Sequence, residues 1–301
     1  MYPYEELTLP EIYNHSPAID VNSSDALYAI AVCYRDGKGC AINNDKLFEF
    51  AQKSAEMGNS LAQYEVGECY YYGRGVAQNY SLAVKFYTQA AEHGNADALY
   101  SLGYCYSHGE GVSANNTTAF SYYEKAAQAG HRKSERVVAQ AYYDGTGVEK
   151  NFTKALYWFE KAAEHGDSEA QYDAGYMYYY GDGVPKNYHE AVKYFQACLH
   201  SNPNYTRART LLGVCYFNGT GIKKDLNEAF SLFQQSAKEK DACALSMLGT
   251  AYQFGFGTPI NYHRAYLYYK KAIALDHPSA KELDSESLAK LLKKHPFAWL
   301  F

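Results

Sequence analysis

The chain has 301 residues, 47% of them hydrophobic, which is ample for a buried core. A net charge of −5 supplies no basic face of the kind nucleic acid demands. No apolar run approaches the ~18 residues of a membrane helix, and residues 1 to 24 lack the basic start and apolar stretch of a secretion signal.

In chain order, residues 1 to 24 are punctuated by Pro3, Pro10 and Pro17. Tyr2, Tyr4, Leu7, Leu9, Ile12 and Tyr13 make this segment apolar enough to cap whatever follows. A repeat then begins. Gly37, Gly73, Gly109, Gly145, Gly181, Gly219 and Gly255 each open a Gly-x-Gly, spaced by 36, 36, 36, 36, 38 and 36 residues. A fixed period in this range marks a solenoid. Three residues before each anchor glycine stands Tyr34, Tyr70, Tyr106, Tyr142, Tyr178, Tyr216 or Tyr252. Six residues before it stands glycine or alanine, and six after it asparagine or, once, Asp225.

Residues 62 to 94 show how one unit folds. Ala62, Val66, Gly67 and Tyr70 share a face at helical spacing. Gly67 has no side chain, so a neighbouring helix can come close. Gly73-Arg74-Gly75 ends this first helix, because glycine reaches positive φ without strain. Asn79 fits the N-cap of a second helix, which carries Ala83, Phe86, Tyr87, Ala90 and Ala91 on one face and stops at Gly94. Neither helix buries its apolar face alone, so stacked units must share a core. The repeat places asparagine at helix starts, so Asn-x-Ser/Thr triplets, Asn79, Asn151 and Asn218 among them, read as accidents of the pattern rather than as glycosylation sites.

The copies depart from the pattern in places. The first, residues 25 to 59, has Ala31 for glycine and Phe50-Ala51 for the aromatic pair. The fourth opens with Arg132-Lys133-Ser134-Glu135-Arg136. The fifth ends in Cys198-Leu199-His200-Ser201-Asn202-Pro203 and gains two residues, so a local change of superhelical pitch is expected there. The sixth and seventh put Lys240 and Asp276 where the closing glycine belongs. Residues 280 to 301 hold Leu288, Leu291 and Leu292 at helical spacing, followed by an apolar tail; they read as a C-terminal cap, with the tail either docked on it or free to dock elsewhere.

Four of the seven cysteines, Cys33, Cys69, Cys105 and Cys215, fall just before the periodic tyrosine. Equivalent helices in a stack lie about 10 Å apart, and a disulfide needs Cα atoms within about 7 Å. These thiols therefore read as small buried apolar groups, and reduced cysteines suit the cytoplasm. Export without a leader sequence is the alternative.

The chain resembles the Sel1-like repeat family, relatives of the tetratricopeptide repeat. Ala98, Leu102, Gly103, Tyr106, Gly109, Gly111, Val112, Ala119, Tyr122, Tyr123, Ala126 and Ala127 carry the likeness in the third copy, and it extends over residues 25 to 279. The resemblance implies an all-α, right-handed α/α superhelical solenoid of seven repeats, serving as a non-catalytic adaptor or scaffold. Members of the family serve in signalling, protein quality control, cell-wall regulation and bacterial contact with host cells, and their pattern brings no catalytic residues. A regulatory subunit of an enzyme or membrane complex and a bacterial effector contacting host proteins are the alternatives.

In the related tetratricopeptide architecture the first helices line a concave groove. Carried over, that geometry puts Tyr28, Tyr64, Tyr100, Arg136 and Tyr172 in the groove, nine residues before the anchor glycine. It adds Glu68, Tyr104 and Tyr176 five residues before it, and Tyr71, Tyr72, His108, Tyr143, Tyr179, Tyr180, Phe217 and Phe254 one or two before it. The chain holds 33 tyrosines, more than core packing alone explains. Tyrosine offers large area, few rotors and a polar tip. With Asp25, Asp36, Glu68, Asp97, Asp144 and Glu169 among the rings, the expected partner is a protein or peptide with basic character, bound by a monomer. The other reading of these rings is a wide core. No motif places a metal, a cofactor or a nucleophile, and the Gly-x-Gly turns follow helices and lack the lysine of a phosphate-binding loop.

Overall fold

The computed structural model describes residues 8–14, 20 and 22–275. The C-terminal cap, and Tyr2, Tyr4 and Leu7 of the N-terminal one, lie outside them, as do the side chains of Ile12 and Tyr13. The described residues form fifteen α-helices and no strand. A short α1 (Leu9–Asn14) precedes seven helix pairs. The first helices of the pairs are α2 (Ser24–Asp36), α4 (Ser60–Tyr72), α6 (Ala96–His108), α8 (Arg132–Asp144), α10 (Ser168–Tyr180), α12 (Thr206–Asn218) and α14 (Ala242–Phe254). The second helices are α3 (Asn44–Glu56), α5 (Tyr80–Glu92), α7 (Asn116–Gln128), α9 (Phe152–Glu164), α11 (Tyr188–Ser201), α13 (Leu226–Lys238) and α15 (Tyr262–Ala274). The chain divides into two compact units, Met1–Asn151 with α1 to α8 and Phe152–Phe301 with α9 to α15. Within each, every helix packs on the one before and the one after it, the arrangement of an α/α solenoid.

The periodic residues have separate jobs. The anchor glycine is the left-handed C-cap of the first helix, with φ of 71° at Gly73 and 73° at Gly109. The glycine two places on touches the preceding pair: a Cβ on Gly75 would strike the carbonyl of Asn44, and one on Gly111 that of Tyr80. The starts of α3, α5, α7, α9, α11 and α13 thus rest on the turn of the next repeat. At Gly39 the same place is taken by Thr8, Leu9 and Pro10, and the Leu9 N–H donates to the Lys38 carbonyl at 3.1 Å. The start of α1 therefore stands where a preceding repeat would put the start of its second helix.

The asparagines expected as caps perform that role: Asn79 Oδ1 accepts from the Leu82 N–H at 3.0 Å and Asn115 Oδ1 from Thr118 at 3.0 Å. The glycine within the first helix faces a ring of the second, Gly67 against Tyr87 and Gly103 against Tyr123. The periodic tyrosine stacks on the neighbouring aromatic of the same pair: Tyr34 on Phe50, Tyr70 on Phe86, Tyr106 on Tyr122, Tyr178 on Tyr194 and Tyr252 on Tyr268, with centroids 5.5–6.0 Å apart. All seven cysteines are free, and Cys33, Cys69, Cys105 and Cys215 are buried. Burial pushes the Cys69 thiol up to about 12, as expected for an inert apolar filler.

The insertion in the fifth pair is absorbed locally. α11 has 14 residues against 13 in its neighbours, and the Arg209 guanidinium donates to the Pro203 carbonyl across the turn that follows. Among the described residues no helix is long and apolar enough to cross a membrane.

Candidate partner-binding face

The first helices within a unit lie side by side, bridged by their own side chains. In the first unit Asn59 Nδ2 donates to Asp25 Oδ1 at 2.9 Å, and the rings of Tyr71 and Tyr104 meet edge to face at 6.5 Å. In the second, Tyr172 packs on Tyr205 at 5.1 Å and Phe217 on Phe256 at 5.4 Å.

The residues expected on this face fall into three depths. Tyr28 is buried, 9% exposed, among Ala31, Val32 and Leu47, so its ring belongs to the core and offers nothing to a partner. Burial of this position follows from the first pair having Ala51 where later pairs have a large ring: the space is taken from the other side. Tyr64, Tyr100, Tyr172, Tyr71, Tyr143, Tyr179 and Phe217 are half-buried. Tyr64 leans on Tyr87 (5.8 Å), Tyr100 on Tyr123 (5.5 Å), and Tyr172 on Phe195 (6.2 Å). These rings form a second layer over the core, and desolvation moves the Tyr179 hydroxyl up to about 12. The outermost are Tyr72, Tyr180 and Phe254, 58%, 47% and 56% exposed, each the last residue of its helix. His108 holds the same place on α6 and stacks on half-buried Tyr104 at 4.0 Å, as Tyr180 packs on Tyr176 at 4.4 Å. Arg136 is half-buried on α8.

The charges among the rings are largely engaged within the protein. Arg35 binds Asp36 (2.8 Å) and, with its other arm, Glu65 of the next first helix (2.7 Å). Arg74 reaches Glu68 at 3.4 Å and Glu65 at 4.0 Å, while its guanidinium lies 4.7 Å from the centre of the Tyr72 ring. The Tyr87 hydroxyl donates to Glu68 at 2.7 Å. Burial raises the Glu68 carboxyl above its usual range, opposed by the bonds from Tyr87 and Arg74. The Arg35 hydrogen bond, by contrast, lowers Asp36. Asp97 keeps a 60% exposed side chain 3.5 Å from His131 Nε2.

Arg35, Glu65, Arg74, Glu110 and His131 were not expected here. A signal for several of them exists. The residue between the two glycines of one repeat meets the residue two before the anchor glycine of the preceding repeat. Glu110 accepts from the Tyr71 hydroxyl at 2.5 Å, and Phe256 packs on Phe217. Reading the repeat column by column hides such pairs; reading those two columns against each other exposes them.

This chain matches the model of the Sel1 repeat over residues 24–59, 60–95, 96–131, 133–167, 168–197, 206–241 and 244–277. A Sel1 repeat protein from Oxalobacter formigenes is similar at 30% identity and a TM-score of 0.62, over 82% of this chain and 96% of that one. The protective antigen c5321 of uropathogenic Escherichia coli, which displays the same repeat fold, is 24% identical over 92% of this chain and 78% of its own, with a TM-score of 0.45. The C-terminal part of a TPR repeat-containing protein from Cytophaga hutchinsonii is 15% identical, over 87% and 98% of the two chains, with a TM-score of 0.50. Among curated proteins none matches. Seven matched repeats, each spanning two consecutive helices, leave one assignment: the chain belongs to the Sel1 repeat family.

Proposed function

We propose that this protein is a non-catalytic adaptor that holds a segment of another protein against the face of its first helices. The observation that carries the reading is that both units end first helices in exposed aromatics, Tyr72 in the first unit and Tyr180 and Phe254 in the second, beside half-buried rings of the same helices. Rings held in this way lose little entropy on binding. Asp36 and Glu68 are engaged by Arg35 and Arg74, so basic character in the partner is proposed only opposite Asp97. Such proteins generally act by binding other proteins, as the family assignment implies.

The test is capture from native extract by the full chain. Wild type is compared with Tyr72→Ser/Tyr180→Ser/Phe254→Ser and with a control set on the second helices, Tyr157→Ser/Leu267→Ser. Tyr157 and Leu267 are 53% and 42% exposed, so both sets spare the core. The expected result is a protein bound by wild type and the control but lost by the outer-ring set, with all three equally helical by circular dichroism. Retention by the outer-ring set and loss by the control would move binding to the second helices. That outcome would favour a regulatory subunit held through its opposite side.

A further inference from the structure

In the third repeat the second layer of rings is interrupted at Ser107, two residues before the anchor glycine. In the first unit a pocket of about 300 Å³ opens between α6, α7 and α8, at the lower end of the ~300–1,000 Å³ range of ligand sites. Its wall is apolar, from Ala119, Phe120, Tyr123, Val137 and Ala141, and Arg136 and Gln140 stand with it on α8.

One repeat earlier, the corresponding space is occupied. Tyr71, two residues before the anchor glycine, lies 5.1 Å from Tyr80 and 6.5 Å from both Tyr87 and Tyr104, and its hydroxyl is held by Glu110. In the second unit Tyr179 does the same against Tyr188 (5.4 Å) and Phe195 (6.3 Å). Stepping 36 residues on from Tyr71, Tyr80, Tyr104 and Glu110 gives Ser107, Asn116, Gln140 and Thr146. All four line the pocket, and none carries a ring. Tyr123, the equivalent of Tyr87, remains as the floor. The cavity therefore keeps the ring floor of a tyrosine site without the tyrosine.

We propose that this pocket receives an aromatic side chain, tyrosine or phenylalanine, carried by the bound protein segment. The proposal rests on the adaptor reading and names one residue that its partner must present. An inserted ring would meet Tyr123 below, the counterpart of the contact Tyr71 makes with Tyr87, and the Val137 and Ala141 methyls beside it. A buried ring of this kind is the usual energetic anchor of a protein interface.

The test uses the whole protein and p-cresol, the tyrosine side chain alone. In wild type, p-cresol should shift the methyl resonances of Ala119, Val137 and Ala141 saturably, with a dissociation constant on the order of 1 mM, reasonable for eight heavy atoms. Ser107→Tyr restores the ring used at Tyr71 and Tyr179 and should abolish those shifts. Val137→Phe fills the same space from α8 and should do likewise if Ser107→Tyr folds poorly. Absence of saturable shifts in wild type, or equal shifts in both plugged variants, overturns the proposal. In the capture experiment Ser107→Tyr should lower retention of the bound protein at least tenfold, and retention equal to wild type also overturns it. The titration needs no partner, so failure of the adaptor reading and failure of the pocket remain distinguishable.

Discussion

At the scale of single residues, the fold is set by where a side chain would not fit. A Cβ at Gly103 would come within 2.7–2.9 Å of the Tyr123 ring, closer than packed atoms stand. In the first pair the same two repeat positions hold Ala31 and Ala51, both buried in one cluster, so that pair has neither the glycine nor the ring. Gly103→Ala alone should therefore cost about 1–3 kcal/mol, the usual penalty of overpacking. In a Tyr123→Ala background it should cost less than half as much. Urea unfolding of the four members of this cycle measures the coupling, and equal costs in both backgrounds would contradict the argument. The closing glycines behave differently. Around Gly58, Gly94, Gly130 and Gly166 a Cβ would meet nothing, and only their positive φ speaks for glycine. Lys240, with φ of 58°, can occupy that slot because conformation alone opposes it, at about 1–2 kcal/mol.

At the scale of the helix, the caps show where the sequence can be read and where it cannot. The starts of the second helices are legible, because asparagine six residues past the anchor glycine has one obvious use. The start of α8 is not. His131 stands where Asn59 and Asn95 cap the two first helices before it. Its Nδ1 accepts from the Ser134 N–H at 3.3 Å and lies 2.8 Å from the Ser134 hydroxyl, so the cap requires a neutral ring. Burial lowers the His131 pKa, Asp97 and Glu135 pull it up, and Lys133 pushes it further down. A histidine whose folded value is depressed binds fewer protons folded than unfolded. Its contribution is then complete above the unfolded value of 6.5 and is lost as pH falls through 6.5 toward the lowered one. His131→Asn should remove that loss. Thermal unfolding at pH 7.5 and pH 5 should show a smaller drop for His131→Asn than for wild type, by about 1 kcal/mol, the worth of an N-cap. The same drop in both proteins would assign the pH dependence elsewhere. The face of the first helices was legible in kind, since the tyrosines do crowd there. Its depth was not: periodicity cannot tell Tyr28, which is core, from Tyr72, which is 58% exposed. Depth depends on what the second helix places opposite.

At the scale of the whole molecule, repetition makes stability nearly one-dimensional. Within each unit the helices pack on their neighbours in sequence, so the free energy is approximately a sum of pair and junction contributions. The buried residues group accordingly. Leu47, Val66 and Cys69 share one cluster, whereas Leu102 sits in the next with Ala83, Tyr87 and Ala98. Leu47→Ala and Leu102→Ala should each cost about 2–5 kcal/mol, because both side chains are fully buried. Lying in different clusters, they should add to within about 0.5 kcal/mol. Leu47→Ala combined with Val66→Ala should not, because the second change enlarges a cavity that the first has already opened; a coupling of about 0.5–3 kcal/mol is expected. Equilibrium unfolding in urea distinguishes the two cases. Strong coupling between Leu47 and Leu102 would mean that a junction transmits strain beyond its own pair. The binding face would then deform as a unit when one ring is changed, and capture by single-ring variants would have to be read as a property of the whole face. Additivity instead leaves each ring answerable on its own, so a tyrosine can be removed or supplied at one repeat without reshaping the next.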